Sequence, residues 1–263
     1  MQKFNKLKDL YSNHKGLVSD KWESYLTKYD DLFSSYSKQR INMLEIGVQN
    51  GGSLEIWAKY FSMADSIVGC DINPLCADIA FSNGAIRFVP GDINAAETLW
   101  AIRKHASTFD IVIDDGSHVS SDIVHTFATL FPLLADNGTY VIEDLHCSYW
   151  SRFEGGLTAN TSAMAFLKKL VDIVNFEHWG IPGSRQDLLA PFDAAIKLGD
   201  DELAQIHSVS FSNSICIIKK KSIENNSLGK RWVVGEIEDV APSTKANGTY
   251  SKPETQSTKT LVD

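Results

Sequence analysis

The stretch Phe109-Asp110-Ile111-Val112-Ile113-Asp114-Asp115-Gly116-Ser117-His118 reads as a buried strand that ends in two carboxylates, a glycine and a histidine. A second stretch, Gly138-Thr139-Tyr140-Val141-Ile142-Glu143-Asp144, also ends in two acids. Open α/β sheets bind their ligands in the crevice at the carboxyl ends of parallel strands. The two stretches therefore predict a crevice with paired acids and an imidazole, an arrangement typical of an enzyme that uses a divalent cation.

The central part of the chain alternates short apolar runs with helical patterns. The runs cover residues 41–46, 66–70, 86–89, 109–113 and 140–142, and helical patterns separate them. This order predicts right-handed crossovers and a parallel sheet covered on both faces. A helical segment near 161–176 and a hairpin over 206–219 follow. We expect a doubly wound α/β fold, with a mostly parallel seven-stranded sheet and an antiparallel C-terminal edge hairpin.

Composition divides the chain into three predicted regions: an N-terminal helical cap (1–40), a main domain (41–221) and a flexible tail or linker (222–263), where Asn, Ser, Thr, Lys, Gly and Pro dominate. In the cap, seven apolar residues between Asp20 and Tyr36, four of them Tyr or Trp, recur at three- and four-residue steps. This spacing predicts one helix. Its apolar face has two interpretations, an aromatic core surface or a lid over a cofactor site.

Charge and cysteine usage exclude several classes of protein. With 25 Lys and Arg against 33 Asp and Glu, the net charge is −8, which disfavours nucleic acid as a partner. The four cysteines are scattered without CxxC spacing, as expected for reduced core thiols. No signal-peptide run and no stretch near the ~20 apolar residues of a membrane helix occurs. These features predict a cytoplasmic protein without a transmembrane segment.

Three strand ends before residue 100 carry candidate ligand-binding residues. The first ends in a glycine-rich turn with Glu45, Gly47, Gly51 and Ser53, whose glycines allow close backbone approach to a ligand. The turn is not G-x-G-x-x-G, so the dinucleotide fingerprint is not met. The next two strands end in Asp71, suited to ribose hydroxyls, and Asp92, suited to an adenine amino group. Each acid alone could instead be a turn residue or a helix N-cap.

Six motifs together carry a family resemblance: Leu44-Glu45-Ile46-Gly47, Gly51-Gly52-Ser53, Gly69-Cys70-Asp71, Gly91-Asp92, the Ile113–His118 run and Tyr140-Val141-Ile142-Glu143-Asp144-Leu145. With them the chain resembles the class I S-adenosylmethionine-dependent methyltransferases. It is most similar to the metal-dependent sugar O-methyltransferases, which include the macrolide-sugar enzymes. The resemblance covers roughly Lys21 to Lys220, and the glycine turn departs from the usual pattern.

The resemblance implies S-adenosylmethionine as the cofactor. Glu45 and the glycine turn, with Gly47, Gly51 and Ser53, would lie near its methionine end. Asp71 would bind the ribose and Asp92 would lie near the adenine. Asp114 is included among the implied cofactor-binding residues.

The resemblance also implies a magnesium site formed by Asp115, Glu143 and Asp144. Three hard oxygen donors without a nearby thiolate independently suit octahedral Mg²⁺ or Mn²⁺. Clustering three anions without a cation would cost several kcal/mol in a partly dry crevice. The alternative is that Asp115 caps the following helix while Glu143 or Asp144 pairs with a basic side chain.

His118 matches the position of the general base in the resembled family. A sugar hydroxyl has a pKa far above neutrality, so its proton must be removed or strongly polarised as the oxygen attacks the methyl group. Lone histidines near helix starts are more often structural, but the flanking acids favour a catalytic role here. His146 and His178 are candidate contacts of a sugar or glycan acceptor. Tyr149 and Trp150 follow the fifth strand and are further candidates, with core packing as their alternative.

The predicted function is transfer of a methyl group to a sugar hydroxyl, in polysaccharide or glycoside biosynthesis. A NAD-dependent sugar dehydrogenase or epimerase is disfavoured, because the one Tyr-x-x-x-Lys pair, Tyr11 to Lys15, precedes the first strand. A non-catalytic methyltransferase-like module of a larger glycan-assembly protein is a third interpretation. The polar C-terminus predicts a glycosyltransferase domain fused beyond it, and relatives of this kind often form homo-oligomers.

Overall fold

The computed structural model describes residues 6–192, 196 and 198–241 of the protein. The strands are β1 (Asn42–Ile46), β2 (Ser66–Asp71), β3 (Ile86–Pro90), β4 (Phe109–Asp114), β5 (Leu134–Ile142), β6 (Ile206–Ser212) and β7 (Ile215–Lys220). The α-helices are α1 (Leu7–Ser12), α2 (Glu23–Phe33), α3 (Gly52–Tyr60), α4 (Ala96–Arg103), α5 (Ser120–Leu130), α6 (Ala163–Val174) and α7 (Asp200–Leu203).

The seven strands form one sheet in the order β3-β2-β1-β4-β5-β7-β6. Strands β1 to β5 run parallel, β7 is antiparallel to β5, and β6 is antiparallel to β7 at the edge. The predicted fold class, including the antiparallel hairpin, is confirmed. Because the strand order reverses between β1 and β4, a crevice opens at their carboxyl ends.

Apolar side chains fill both faces of the sheet, which is why the central strands read as continuous apolar runs. One cluster joins the sheet to α5 and α6, where Phe127 and Phe166 are fully buried. The other cluster joins it to α1, α2 and α3 around Trp57. The crevice is therefore held by elements packed on both sides.

The aromatic stripe of the N-terminal region forms part of the second cluster. Tyr25, Tyr29 and Phe33 of α2 are at most 1% exposed. Tyr29 stacks on Phe33 at 5.5 Å and meets the ring of Trp57 edge-on at 5.3 Å. These contacts bear out the core-face interpretation of the stripe. The first residues of the segment, however, also reach the crevice.

The four cysteines are free and buried. No helix within the described residues is long and apolar enough to cross a membrane. After β7, the described part of the predicted tail contains one short 3₁₀ turn, Ile223–Asn225, and residues 242–263 lie outside the described residues. The bounds of the three predicted regions stay a prediction.

Candidate functional site

Two cavities lie side by side at the carboxyl ends of the parallel strands, and they share Gly47, Asp71 and Gly116. The first has a volume of about 330 Å³ and the second about 250 Å³. The first is lined by six residues that the sequence singled out: Gly47, Ser53, Asp71, Asp115, His118 and Asp144.

The glycine turn after β1 is shaped by Asp71. Its Oδ2 accepts the backbone N–H groups of Val48 and Gln49 at 2.8 and 2.9 Å. Gly47 has φ +87°, and a Cβ there would lie 2.0 Å from the carbonyl oxygen of Asp115. The turn can approach the loop after β4 this closely only because residue 47 is a glycine. Gly51, also with positive φ, is the N-cap of α3.

The second cavity combines apolar walls with acids at one end. Asp92 and Asp114 line it together with isoleucine side chains, among them Ile72 and Ile93. Asp114 is buried, and burial raises its pKa to about 7. Its Oδ2 has no hydrogen-bond partner among the described residues. A flat apolar ring with polar edges suits such a space.

The acids after β4 and β5 converge with the imidazole. Asp115, His118 and Asp144 each offer a ligand atom, and these atoms all lie within 4.8 Å of one another. Nε2 of His118 is 4.0 Å from Oδ1 of Asp115 and 3.8 Å from Oδ2 of Asp144. Both gaps exceed a hydrogen bond, so the described side chains leave room between them for a bound group.

Two of these residues adopt an uncommon backbone conformation. His118 has φ +59° and Asp144 has φ +53°. Residues other than glycine seldom have a positive φ. Those that do are often found at active sites and ligand clamps. The backbone therefore directs both side chains into the first cavity at a conformational cost.

Lys21, which the sequence analysis missed, lies beneath this group. Its side chain is 2% exposed, and Nζ contacts Asp115 Oδ2, Glu143 Oε1 at 2.8 Å and Glu45 Oε1 at 3.6 Å. Burial lowers its pKa, but Coulomb attraction to Glu143, Asp115 and Glu45 outweighs that effect and holds the pKa well above its usual value. Lys21 is therefore an ammonium ion inside the protein.

Glu143 and Glu45 lie deeper than the sequence reasoning placed them. Neither lines either cavity. Oε1 of Glu143 accepts the hydroxyl of Tyr29 at 2.5 Å as well as the contact from Lys21. Glu45 accepts the hydroxyl of Ser53 at 2.7 Å. Both acids thus join the cavity wall to the hydrophobic core.

The carboxyl groups around Lys21 outnumber its single ammonium. Burial raises the pKa of Glu143 to about 8, and burial also raises the pKa of Asp115 and Glu45 in spite of the neighbouring ammonium. Asp144 adds a fourth carboxyl, so one ammonium faces four acids. A further cation would stabilise their ionised forms. The oxygen donors that face the cavity suit Mg²⁺ or Mn²⁺.

A group of aromatic rings lies beside Asp144, which lines the first cavity. The ring of His146 lies 5.0 Å from that of Trp150 and 6.1 Å from that of Trp22. Trp150 and Trp22 are 48% and 59% exposed, so they offer open ring faces beside Asp144.

The remaining acceptor candidates lie elsewhere. Tyr149 shares a separate cavity with His146. His178 forms an ion-pair contact with Glu177 at 3.6 Å and lines neither of the two crevice cavities. The structure therefore places His146 beside Asp144, with Trp150 next to its ring, and does not bring His178 to the crevice cavities.

Lys21, Trp22 and Tyr25 were not predicted as site residues, and all three contact the acids of the site. The aromatic stripe was a partial signal, since a lid over a cofactor site was one of its two interpretations. No motif marks Lys21, because its partners are 94 and 122 residues away.

Comparisons with known proteins agree with this geometry. Residues 44–145 match a family model described as a methyltransferase domain. The chain is 37% identical over 165 residues to 8-demethyl-8-alpha-L-rhamnosyl tetracenomycin-C 2'-O-methyltransferase of Streptomyces olivaceus, which covers 59% of this chain and 42% of that protein. It is 37% identical over 164 residues to mycinamicin VI 2''-O-methyltransferase of Micromonospora griseorubida, with 59% and 40% covered. The chain thus spans less than half the length of these relatives.

A solved structure is also similar. The MycE methyltransferase from the mycinamycin biosynthetic pathway, in complex with Mg and SAH, superposes with a TM-score of 0.69 and 28% identity. The match covers 89% of this chain and 59% of that one. The motifs, the sheet order and these similarities agree that the chain contains a domain similar to the class I methyltransferases.

Proposed function

We propose that this protein transfers a methyl group from S-adenosylmethionine to a hydroxyl group of a sugar, with a divalent cation at the crevice. The observation that carries the proposal is the convergence of Asp115, His118 and Asp144 within 4.8 Å on the wall of the first cavity. The sugar O-methyltransferases among its relatives support the choice of acceptor. When bound, S-adenosylmethionine supplies the methyl group, whose bond to sulfur breaks as the bond to the sugar oxygen forms, and Mg²⁺ or Mn²⁺ supplies a Lewis acid for the acceptor oxygens.

The two adjoining cavities fit the two halves of the methyl donor. The polar first cavity, with Ser53 and the backbone turn after Gly47, suits an amino-acid group, and the second, with Asp92 and Asp114, suits an adenine ring. Asp71 lines both cavities, as expected for a residue that binds the ribose between them. Glu45 and Gly51 support the turn from behind.

The acids that would hold the cation each have one oxygen already bound by the protein. Asp115 uses Oδ2 for Lys21 and directs Oδ1 towards His118. Asp144 accepts hydrogen bonds at Oδ1 and directs Oδ2 towards His118. Glu143 uses Oε1 for Lys21 and Tyr29, and we include it as the third acid on the buried side.

His118 is the proposed general base. Its Nε2 faces the space between the two cavity-facing acids, where it can accept the proton of an acceptor hydroxyl. A base in this position contributes roughly 10² to 10⁴ in rate. The acceptor ring would lie against the aromatic rim formed by Trp150, His146 and Trp22, whose open faces suit the apolar face of a sugar. A glycoside and the end of a glycan chain are both acceptors of this kind.

The test combines binding and transfer. Isothermal titration with S-adenosylhomocysteine should give one site per chain. Transfer of labelled methyl from S-adenosylmethionine to a panel of rhamnosides and glycan fragments should require Mg²⁺ or Mn²⁺ and stop in excess EDTA. Methyl transfer at full rate in EDTA would refute the role of the metal, and absence of S-adenosylhomocysteine binding would refute the activity.

A pair of variants tests the base. His118→Gln should lower kcat by 10² to 10⁴ while S-adenosylhomocysteine still binds. His105→Gln is the matched control, since His105 precedes β4 and so lies at the opposite, amino end of the sheet. Equal rates for the two variants would exclude His118 as the base.

A further inference from the structure

The segment that enters α2, which the matched family model does not cover, binds all three acids after β4 and β5. Each acid is held through one oxygen. Nζ of Lys21 contacts Asp115 Oδ2 and Glu143 Oε1, and the hydroxyl of Tyr29 donates to the same Glu143 oxygen. The remaining acid, Asp144, is held by two other side chains of this segment.

Asp144 receives two donors on Oδ1. The indole N–H of Trp22 donates to it at 3.1 Å. The hydroxyl of Tyr25 lies 3.0 Å from the same oxygen and 2.9 Å from the carbonyl oxygen of Ser214, and either can accept its proton. Both donors approach one side of the carboxylate, and the other oxygen, Oδ2, is the one that faces His118.

Tyr25 also holds the backbone of Asp144. The backbone N–H of Asp144 donates to the Tyr25 hydroxyl at 3.2 Å. Asp144 has φ +53°, a strained conformation for an L-residue that persists only where neighbouring groups hold it. The next amide, that of Leu145, donates to Ser214 in the β6–β7 turn at 2.9 Å. The hydroxyl therefore joins the helix, the acid and the hairpin turn at one point.

We propose that Trp22 and Tyr25 are positioning residues that hold Asp144 with Oδ2 directed at the cation and the acceptor. This inference rests on the proposed function, because it assigns a partner to one of the proposed metal ligands. Groups that orient a metal ligand from behind typically contribute 10- to 100-fold to metal affinity. Helix α2 and the residue before it thus position a site residue, and the helix also packs against the core.

The experiment measures Mn²⁺ affinity by electron paramagnetic resonance on the full chain. Trp22→Phe and Tyr25→Phe each remove one donor and keep an aromatic ring. We expect the Mn²⁺ dissociation constant to rise about 10-fold in each variant. The affinity for S-adenosylhomocysteine without metal, measured by isothermal titration, should stay within twofold of wild type. Tyr36→Phe is the matched control, since its hydroxyl contacts the carbonyl oxygen of Asn137 and none of the acids.

Trp22 is largely exposed, so its replacement leaves the core packing intact. The test therefore stands even if the Tyr25→Phe variant fails to fold. Wild-type Mn²⁺ affinity in both variants would overturn the inference and leave the proposed function standing. Parallel losses of Mn²⁺ and S-adenosylhomocysteine affinity would also overturn it, because they would indicate a general structural effect. Failure of the wild-type protein to bind Mn²⁺ would instead remove the metal from the proposed function, and the inference with it.

Discussion

Replacing Lys21 by Met removes the buried ammonium and keeps most of the side-chain volume. The lysine is 2% exposed and contacts Glu45, Asp115 and Glu143. Removing one partner of a buried ion pair typically costs about 3–5 kcal/mol, because the remaining charge is left buried without compensation. Since three acids lose the same partner, we expect the free energy of unfolding in metal-free buffer at neutral pH to fall by an amount in this range.

The loss should increase with pH. A carboxyl group whose pKa is raised on folding stabilises the folded state below its unfolded pKa, and this contribution disappears as the pH rises through its folded pKa. For Glu143, this contribution is lost over the pH range between its usual pKa of 4.5 and its folded pKa of about 8. Without Lys21, the pKa of Asp115 and of Glu45 would rise further, so the folded variant would retain protons that the unfolded chain releases. Each retained proton costs about 1.4 kcal/mol per pH unit.

Thermal unfolding in EDTA at pH 6 and pH 8 measures this effect. A loss of about 3 kcal/mol lowers the Tm of a chain of this size by about 6–12 °C. Lys8→Met is the matched control, because Lys8 forms an exposed ion pair with Glu23 on the same N-terminal region, and exposed pairs contribute little. If Lys21→Met unfolds like wild type at both pH values, the account of a buried counter-ion is wrong.

Three further substitutions probe separate parts of the site. Asp71→Asn weakens the acceptor of the Val48 and Gln49 amides. We expect the affinity for S-adenosylhomocysteine, measured by isothermal titration, to fall about 10-fold while the Mn²⁺ affinity stays unchanged. A variant that binds S-adenosylhomocysteine as tightly as wild type would contradict the role of Asp71. Gly47→Ala places a Cβ 2.0 Å from a carbonyl oxygen at φ +87°, so its Tm should fall by several degrees, and a wild-type Tm would refute the close approach. Tyr29→Phe leaves buried Glu143 without one donor, which should cost about 1–3 kcal/mol in urea unfolding, and no change would show that the hydroxyl is dispensable.

The sheet and the position of the crevice were predictable because they depend on local patterns. The apolar run from Phe109 to Ile113 marks a strand buried on both faces, and β4 and β5 are neighbours, so the acids that follow them had to meet at one edge. The hairpin over residues 206–219 was recognised by its turn residues. The order of the strands placed Asp115 and Asp144 close together without any knowledge of side-chain contacts.

The contacts behind the acids could not be predicted in the same way. Lys21 lies in a segment without a motif. Its role as a counter-ion depends on contacts with Asp115 and Glu143 that form only in the folded chain. The hydrogen bonds of Trp22 and Tyr25 to Asp144 likewise connect residues about 120 positions apart. His178 illustrates the opposite case, since the sequence placed it near the acceptor and the folded chain does not bring it to the crevice cavities. Long-range side-chain pairing carries no local signal.

The central claim is that the acids after β4 and β5 hold one cation beside His118. Anomalous diffraction from crystals grown with Mn²⁺ and S-adenosylhomocysteine tests it most directly. We predict one strong peak with oxygens of Asp115 and Asp144 both in its coordination sphere and the His118 ring facing it. A peak that touches only one of these acids, or no peak at the crevice at saturating Mn²⁺, would contradict the account.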